Sequence, residues 1–251
     1  MSPKDIITIA YERVLPSANS AGCTLPSFEN AIARHLGSGN FILHDQSQSI
    51  DDLNIDIANG AKDNIIILGS SYKNAGILTF IGASCIVAIG RNLKAQTLNI
   101  HVHGQKLRVI IGENYEVRSA SLFCTGTEKE VVLGDDGLLS HGISIRNNDD
   151  HGIFDIETNE HINPPKDILI EPHVWICPNS TILKGAKIGM GSVIGTNSVV
   201  SGKIPPLSLA AGTPAKVLKK NITWDHSLYP RIDHVKSNLM KIQDFFKFNI
   251  L

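Results

Sequence analysis

Residues 170–205 read IEPHVWICPNSTILKGAKIGMGSVIGTNSVVSGKIP, and they divide into six hexads. Ile170, Ile176, Ile182, Ile188, Ile194 and Val200 open them in one phase. Four positions later stand Val174, Ser180, Ala186, Ser192 and Ser198, all small or β-branched. A period of six is neither the helical 3.6 nor the alternation of an ordinary strand. It suits one short strand plus a turn, so three hexads make a triangular coil of about 18 residues. Each side turns an aliphatic side chain inward, and the small residue fits the crowded corner. Stacked coils pair by parallel ladders, which predicts Ile170 directly above Ile188.

A wider repeat precedes this one. The segments NIIILG (64–69), CIVAIG (85–90), LRVIIG (107–112) and KEVVLG (129–134) end in Gly69, Gly90, Gly112 and Gly134, spaced 21, 22 and 22 residues. They read as longer coils of the same solenoid, with glycine at corners that need positive φ. LGDDGL and LSHGIS (133–144) then return to the beat of six. The expected organisation is a solenoid over 61–206, interrupted at 146–169 by a segment rich in Asn, Asp, Glu and Pro. Having no in-phase aliphatics, that segment should leave the coil as a protruding loop, and solenoid insertions populate binding faces. Residues 1–60 form a segment of mixed patterning, in which SFENAIARHL (27–36) suggests a short helix capped by Ser27. Residues 207–251 hold a closing turn and an amphipathic helix on Val235, Leu239, Ile242 and Phe246.

Composition narrows the function. With 23 Lys and Arg against 24 Asp and Glu, the net charge is −1, and the chain lacks the basic footprint of a nucleic-acid binder. No apolar run is long enough to span a bilayer. Cys23, Cys85, Cys124 and Cys177 are scattered without metal spacing and read as reduced thiols. A cytoplasmic protein is expected.

The hexads, with HVWICPNSTILKGAKIGMGSVIGTNSVVSGKIPPLSLAAGTPAKVLKK (173–220), resemble the left-handed β-helix, hexapeptide-repeat acyltransferases. The VWI tripeptide at 174–176, the AGTPAKVL turn at 211–218 and a histidine 24 residues before Trp175 carry the resemblance. It is close over 133–222 and looser over 61–132. The stretch SIRNNDDHGIFDIETNEHINP is similar to the loop of the branch that modifies capsular and other cell-surface polysaccharides. The resemblance implies an all-β solenoid, a left-handed parallel β-helix, acting as an acetyl-CoA-dependent O-acetyltransferase. It also implies a homotrimer with active sites between protomers, a saccharide acceptor and no metal. His151 matches the catalytic histidine.

An alcohol is a weak nucleophile at neutral pH, and an imidazole suits the task of taking its proton. Asp149 is placed to orient that ring, with Asp150 as the alternative. His141 and His161 are candidate acceptor contacts, and Trp175 is expected on the outer surface, lining the acceptor and thioester channel. His173 is expected on an outer face, and His101 and His103 on an exposed strand. For CoA, the matching positions are Trp175, Cys177, Pro178, Thr196, Ser201, Gly202, Lys216 and Lys219; Lys203 falls one place late. One departure stands out. The family usually places a residue with a free N–H after Trp-Ile-Gly, as donor to the oxyanion, whereas this chain has Cys177-Pro178, and proline has no N–H. Three rival readings are an N-acetyltransferase of an amino-sugar nucleotide, a non-catalytic glycan-binding or structural solenoid, and a γ-class carbonic anhydrase, for which the histidine spacing is wrong.

Overall fold

A computed structural model of the chain describes residues 3–26, 31–46, 49–50, 53–229 and, beyond these, 233, 236, 237 and 240. The chain winds as a three-sided prism. The first side is one ladder of parallel strands. Asn40–Asp45, Ile65–Leu68, Ile86–Ile89, Arg108–Ile111, Glu130–Leu133, Ile168–Ile170, Lys187–Ile188 and Lys203–Ile204 follow one another along it. The second and third sides share a second sheet, because the long strands Lys94–Gln105 and Glu116–Thr127 run across the edge between them. In later coils that edge breaks each long strand into two. Leu138–Leu139 and Trp175–Ile176 lie on the second side, and Ile143–Arg146 and Thr181–Leu183 on the third.

The hexad arithmetic holds at every position. Ile170, Ile176, Ile182, Ile188, Ile194 and Val200 are at most 1% exposed, and Val174, Ser180, Ala186, Ser192 and Ser198 are fully buried. Ile170 pairs in register with Ile188. These side chains form one continuous core with those of the earlier, wider coils, and burial of such apolar area is the main force holding the prism. All four cysteines are free and buried.

Glycine is required where coils touch. Gly82 and Gly104 stack in register at φ of +150° and +146°. A Cβ on Gly82 would lie 1.8 Å from the Gly104 carbonyl oxygen, and one on Gly104 would lie 1.8 Å from that of Gly126.

Two expectations for the first 60 residues change. Ala31–Gly37, overlapping the segment 27–36 expected to be helical, is a strand antiparallel to Asn40–Asp45. Ser38 and Gly39 between them both take positive φ, at 49° and 74°, as a two-residue hairpin turn needs. The parallel ladder therefore starts at residue 40. The helix of this region is Pro3–Ser20, which we label α1. Its Ile6, Ala10, Val14 and Ala18, spaced by four, pack on the outward side chains Leu43, Ile67, Ile86, Ala88, Ile110 and Val132 of the first side. Outward-facing positions there are apolar because α1 covers them. The residues proposed for the C-terminal amphipathic helix lie outside the described residues.

Candidate active site

Three longitudinal edges separate the sides, and the predicted site residues sort onto them. The loop leaves at the edge between the third and first sides, after Ile143–Arg146 and before Ile168–Ile170. His151 is exposed on it. Its backbone N–H donates to the Asp149 carbonyl at 2.9 Å, and its ring has no hydrogen-bond partner among the described residues.

The loop is held from below. The Asn163 amide, 7% exposed, donates from Nδ2 to the Asp149 carboxylate at 3.0 Å and to the His151 carbonyl at 2.9 Å. Its Oδ1 accepts from the Ile153 N–H at 2.6 Å. Lys184, one coil further on at the same edge, donates to Asp149 Oδ2 and to the Asn163 carbonyl. The expectation that Asp149 orients the His151 ring is thus corrected within one chain, because its bonded carboxylate oxygen faces Lys184 and Asn163. Those hydrogen bonds, Lys184 first, hold its pKa below the ordinary value. Asp150 is paired with Arg146 instead. His161 stays on the loop, exposed, its ring 5.2 Å from that of Phe154 across a short antiparallel bridge.

Farther along this edge, Ser201, Gly202, Lys203 and Lys216 line a cavity of about 320 Å³. Lys203 joins its matched neighbours despite its one-residue offset. Lys219 lies elsewhere, opposite Leu209 in the final antiparallel pair.

The remaining candidates occupy the second side and the edge beyond it. His141, a candidate acceptor contact, is exposed at that edge, away from the loop. Cys177 donates its N–H to the Ile194 carbonyl at 2.9 Å, so the ladder already uses it. Burial pushes its thiol up to about 11, which rules out an activated nucleophile. Pro178 has no N–H, and its carbonyl accepts from Asn197 at 2.9 Å. Thr196, one coil beyond Pro178, is exposed, and its N–H has no partner among the described residues.

Trp175, expected on the outer surface, is half-buried. Its indole N–H donates to Ser140 Oγ at 3.1 Å, and it packs with Leu138, Val193, Leu209, Ile222 and Trp224. The cover comes from a strap formed by residues 221–226. Trp224 stacks on His173 at 4.4 Å and 10°, donates its indole N–H to the His173 carbonyl at 2.8 Å and lies 5.9 Å from Trp175. His173 is therefore buried, not on an open outer face. It adopts a left-handed φ of 56°. Its Nδ1 meets Asp136 Oδ2 at 2.8 Å and its Nε2 the Trp224 carbonyl at 3.1 Å. His226 Nε2 lies 3.2 Å from Asp136 Oδ1. On the strand expected to be exposed, His103 is exposed, while His101 is part-buried and stacks on Phe123 at 4.7 Å.

This clasp titrates. Burial opposes ionisation of Asp136, but hydrogen bonds from His173 and His226 outweigh it and hold the carboxyl far below its usual range. The hydrogen bond to Asp136 raises His226. The depressed Asp136 stabilises the fold above its ordinary pKa of about 3.9 and loses that effect as pH falls through its folded value. The raised His226 stabilises below about 6.5 and loses that effect as pH climbs through its folded value. The clasp is strongest between these limits. The difference in unfolding midpoint between wild type and His226→Gln is thus expected to peak at about pH 5–6 and to shrink as pH rises through the raised folded value of His226. A difference that grows with pH in a thermal-melt series contradicts it.

Known proteins share this architecture. A family model, the bacterial transferase hexapeptide (six repeats), matches residues 167–202. The polysialic acid O-acetyltransferase of Neisseria meningitidis is 35% identical over 193 residues, which cover 68% of this chain and 89% of that protein. The chain belongs to the hexapeptide-repeat acetyltransferases. The polysialic acid O-acetyltransferase of Escherichia coli O1:K1 is 36% identical over 139 residues, 55% of this chain and 44% of that longer protein, less than half its length. The crystal structure of the polySia-specific acetyltransferase NeuO superposes with a TM-score of 0.64 at 25% identity, over 77% of this chain and 99% of that one. In this family the prism is a left-handed β-helix, as the resemblance implied, and the protein is an enzyme. No described helix is long and apolar enough to cross a membrane.

Proposed function

We propose that this hexapeptide-repeat enzyme transfers an acetyl group from acetyl-CoA to a hydroxyl of a cell-surface polysaccharide, at sites shared between the protomers of a homotrimer. The observation that carries the reading is the division of the candidate residues. His151, Ser201 and Gly202 lie along the edge between the third and first sides. Trp175, Pro178, Thr196 and His141 lie on the second side or at its far edge. In a triangular prism these two groups point apart, so one chain does not assemble the site. A cyclic arrangement that sets the loop edge of one protomer against the second side of the next brings them together, and such a heterologous contact closes into a ring.

In that cleft His151 takes the proton of the acceptor hydroxyl as its oxygen attacks the thioester carbonyl. The tetrahedral oxyanion collapses, the C–S bond breaks, and the leaving thiolate takes the proton back from the imidazolium. Asn163, Lys184 and Asp149 are positioning residues that fix the loop. With the N–H of Cys177 engaged and Pro178 lacking one, the N–H of Thr196, one coil on, is the donor we assign to the oxyanion. Ser201, Gly202 and the cavity lysines Lys203 and Lys216 receive CoA, the ammonium groups facing its phosphates, while Trp175, His141 and His161 line the acceptor side. A reaction drawing on acetyl-CoA places the enzyme in the cytoplasm. The names of its relatives make polysialic acid the first acceptor to try. The test is thiol release from acetyl-CoA with polysialic acid, other surface polysaccharides and amino-sugar nucleotides as acceptors. Release with a polysaccharide is the expected result. Release with the nucleotide sugars alone would instead make the protein an N-acetyltransferase.

A further inference from the structure

We propose that the second side carries, on the coils before Trp175, a subsite for the carboxylates of an extended acidic glycan, with Lys73, Lys94 and Arg118 as its cations. The inference rests on the reading of the protein as a polysaccharide acetyltransferase and specifies the acceptor's charge and the path it follows.

The register of the ladder sets the path. Lys73, Lys94, Glu116, Leu138 and Trp175 face one another in sequence on consecutive coils. At about 4.8 Å per strand, Lys73 stands roughly 19 Å from Trp175. Two cavities lie along this column. One of about 370 Å³ is lined by Asn92, Lys94, Asn114, Glu116 and, at the strap, Asp136 and His226. The next, about 310 Å³, includes Lys73, Lys94, Gln96, Glu116 and Arg118. Sharing Lys94 and Glu116, they form one trough that leads from the Trp175 cover toward the N-terminal coils.

The charges of this trough differ from three ion pairs elsewhere on the wider coils. In those, a cation meets a carboxylate one coil on, 22 residues later. Arg91 pairs with Glu113 at 2.8 Å, Lys106 with Glu128 at 2.7 Å and Arg108 with Glu130 at 2.8 Å. Lys73, Lys94 and Arg118 are exposed and make no ion pair among the described residues. Lys73 and Lys94 are moreover direct neighbours in register, and like charges so placed destabilise a sheet. An anion bridging them removes that repulsion. Glu116 is the one carboxylate facing them, since Asp136 is engaged by His173 and His226. The trough is therefore net positive. Asn92 and Gln96 add amides suited to hydroxyl groups. The cavity with Ser201 and Lys216 lies on later coils, so a glycan in the trough and the donor approach Trp175 from opposite ends.

The test compares wild type with Lys73→Gln/Lys94→Gln, both exposed positions outside the core. Binding of fluorescently labelled polysialic acid and of neutral dextran is followed by anisotropy at two salt concentrations, alongside acetyl-transfer kinetics. The expected result is at least a tenfold loss of affinity for polysialic acid, a matching rise in KM with kcat kept, and a weaker salt dependence. Unchanged affinity and KM, or an equal loss for dextran, overturns the subsite. Wild type that binds polysialic acid through these lysines but never acetylates it would sink the transferase reading and leave the subsite standing.

Discussion

Replacing His151 by alanine is expected to lower kcat by at least a hundredfold while the solenoid unfolds at the same temperature. General-base catalysis contributes about 10²–10⁴ in rate, and no other imidazole on the loop edge can take over. His161, on the same loop, is turned against Phe154, and His141 belongs to a different edge. The structural cost is small because the His151 ring is exposed and has no hydrogen-bond partner among the described residues. What holds the loop is the Asn163, Lys184 and Asp149 cluster, which the substitution leaves intact. Thiol-release kinetics paired with a thermal melt provide the check. A variant that keeps near-normal turnover removes His151 from the chemistry, and one that melts early shows that the ring braces the loop.

Gly104→Ala is expected to destabilise the protein by about 3–5 kcal/mol or to prevent folding. Two costs combine. A φ of +146° is strained for any L-residue with a side chain. The added methyl would also lie 1.8 Å from the Gly126 carbonyl oxygen, so the coils must separate, and separation breaks the packing on which neighbouring repeats depend. Gly202→Ala is the control, because its Cβ meets nothing within 4 Å, and it should shift stability by less than about 1 kcal/mol. Denaturant midpoints of the two variants decide the matter. Equal midpoints would mean that the coil spacing is softer than the stacked glycines imply.

The repeats were legible because each hexad states the same instruction, and six in-phase aliphatics leave one architecture. The loop was legible as the place where that instruction stops. The hairpin at 31–45 was not, since Ala31, Ala33, Arg34 and Leu36 favour a helix locally and pairing with Asn40–Asp45 overrides them. Helix α1 did carry a signal, the spacing of Ile6, Ala10, Val14 and Ala18, but its small alanines and the internal Pro16 weaken it. The clasp was beyond reach. His173 meets Asp136 across 37 residues and Trp224 across 51, and no periodicity announces either contact. The braces of Asp149 are hidden in the same way, because Lys184 comes from the next coil and Asn163 from the far end of the loop.

The way the prism is finished at its ends limits how copies can meet. A parallel ladder of this kind is a template onto which a further strand would add. At the N-terminal end of the first side Ala31–Gly37 turns back antiparallel, and at the C-terminal end of the second Ala215–Lys220 does the same. The last strands of the other two sides, Lys203–Ile204 and Val199–Val200, are two residues long. Short or reversed margins discourage head-to-tail stacking into fibres, which leaves flank-to-flank contact as the open mode of self-association.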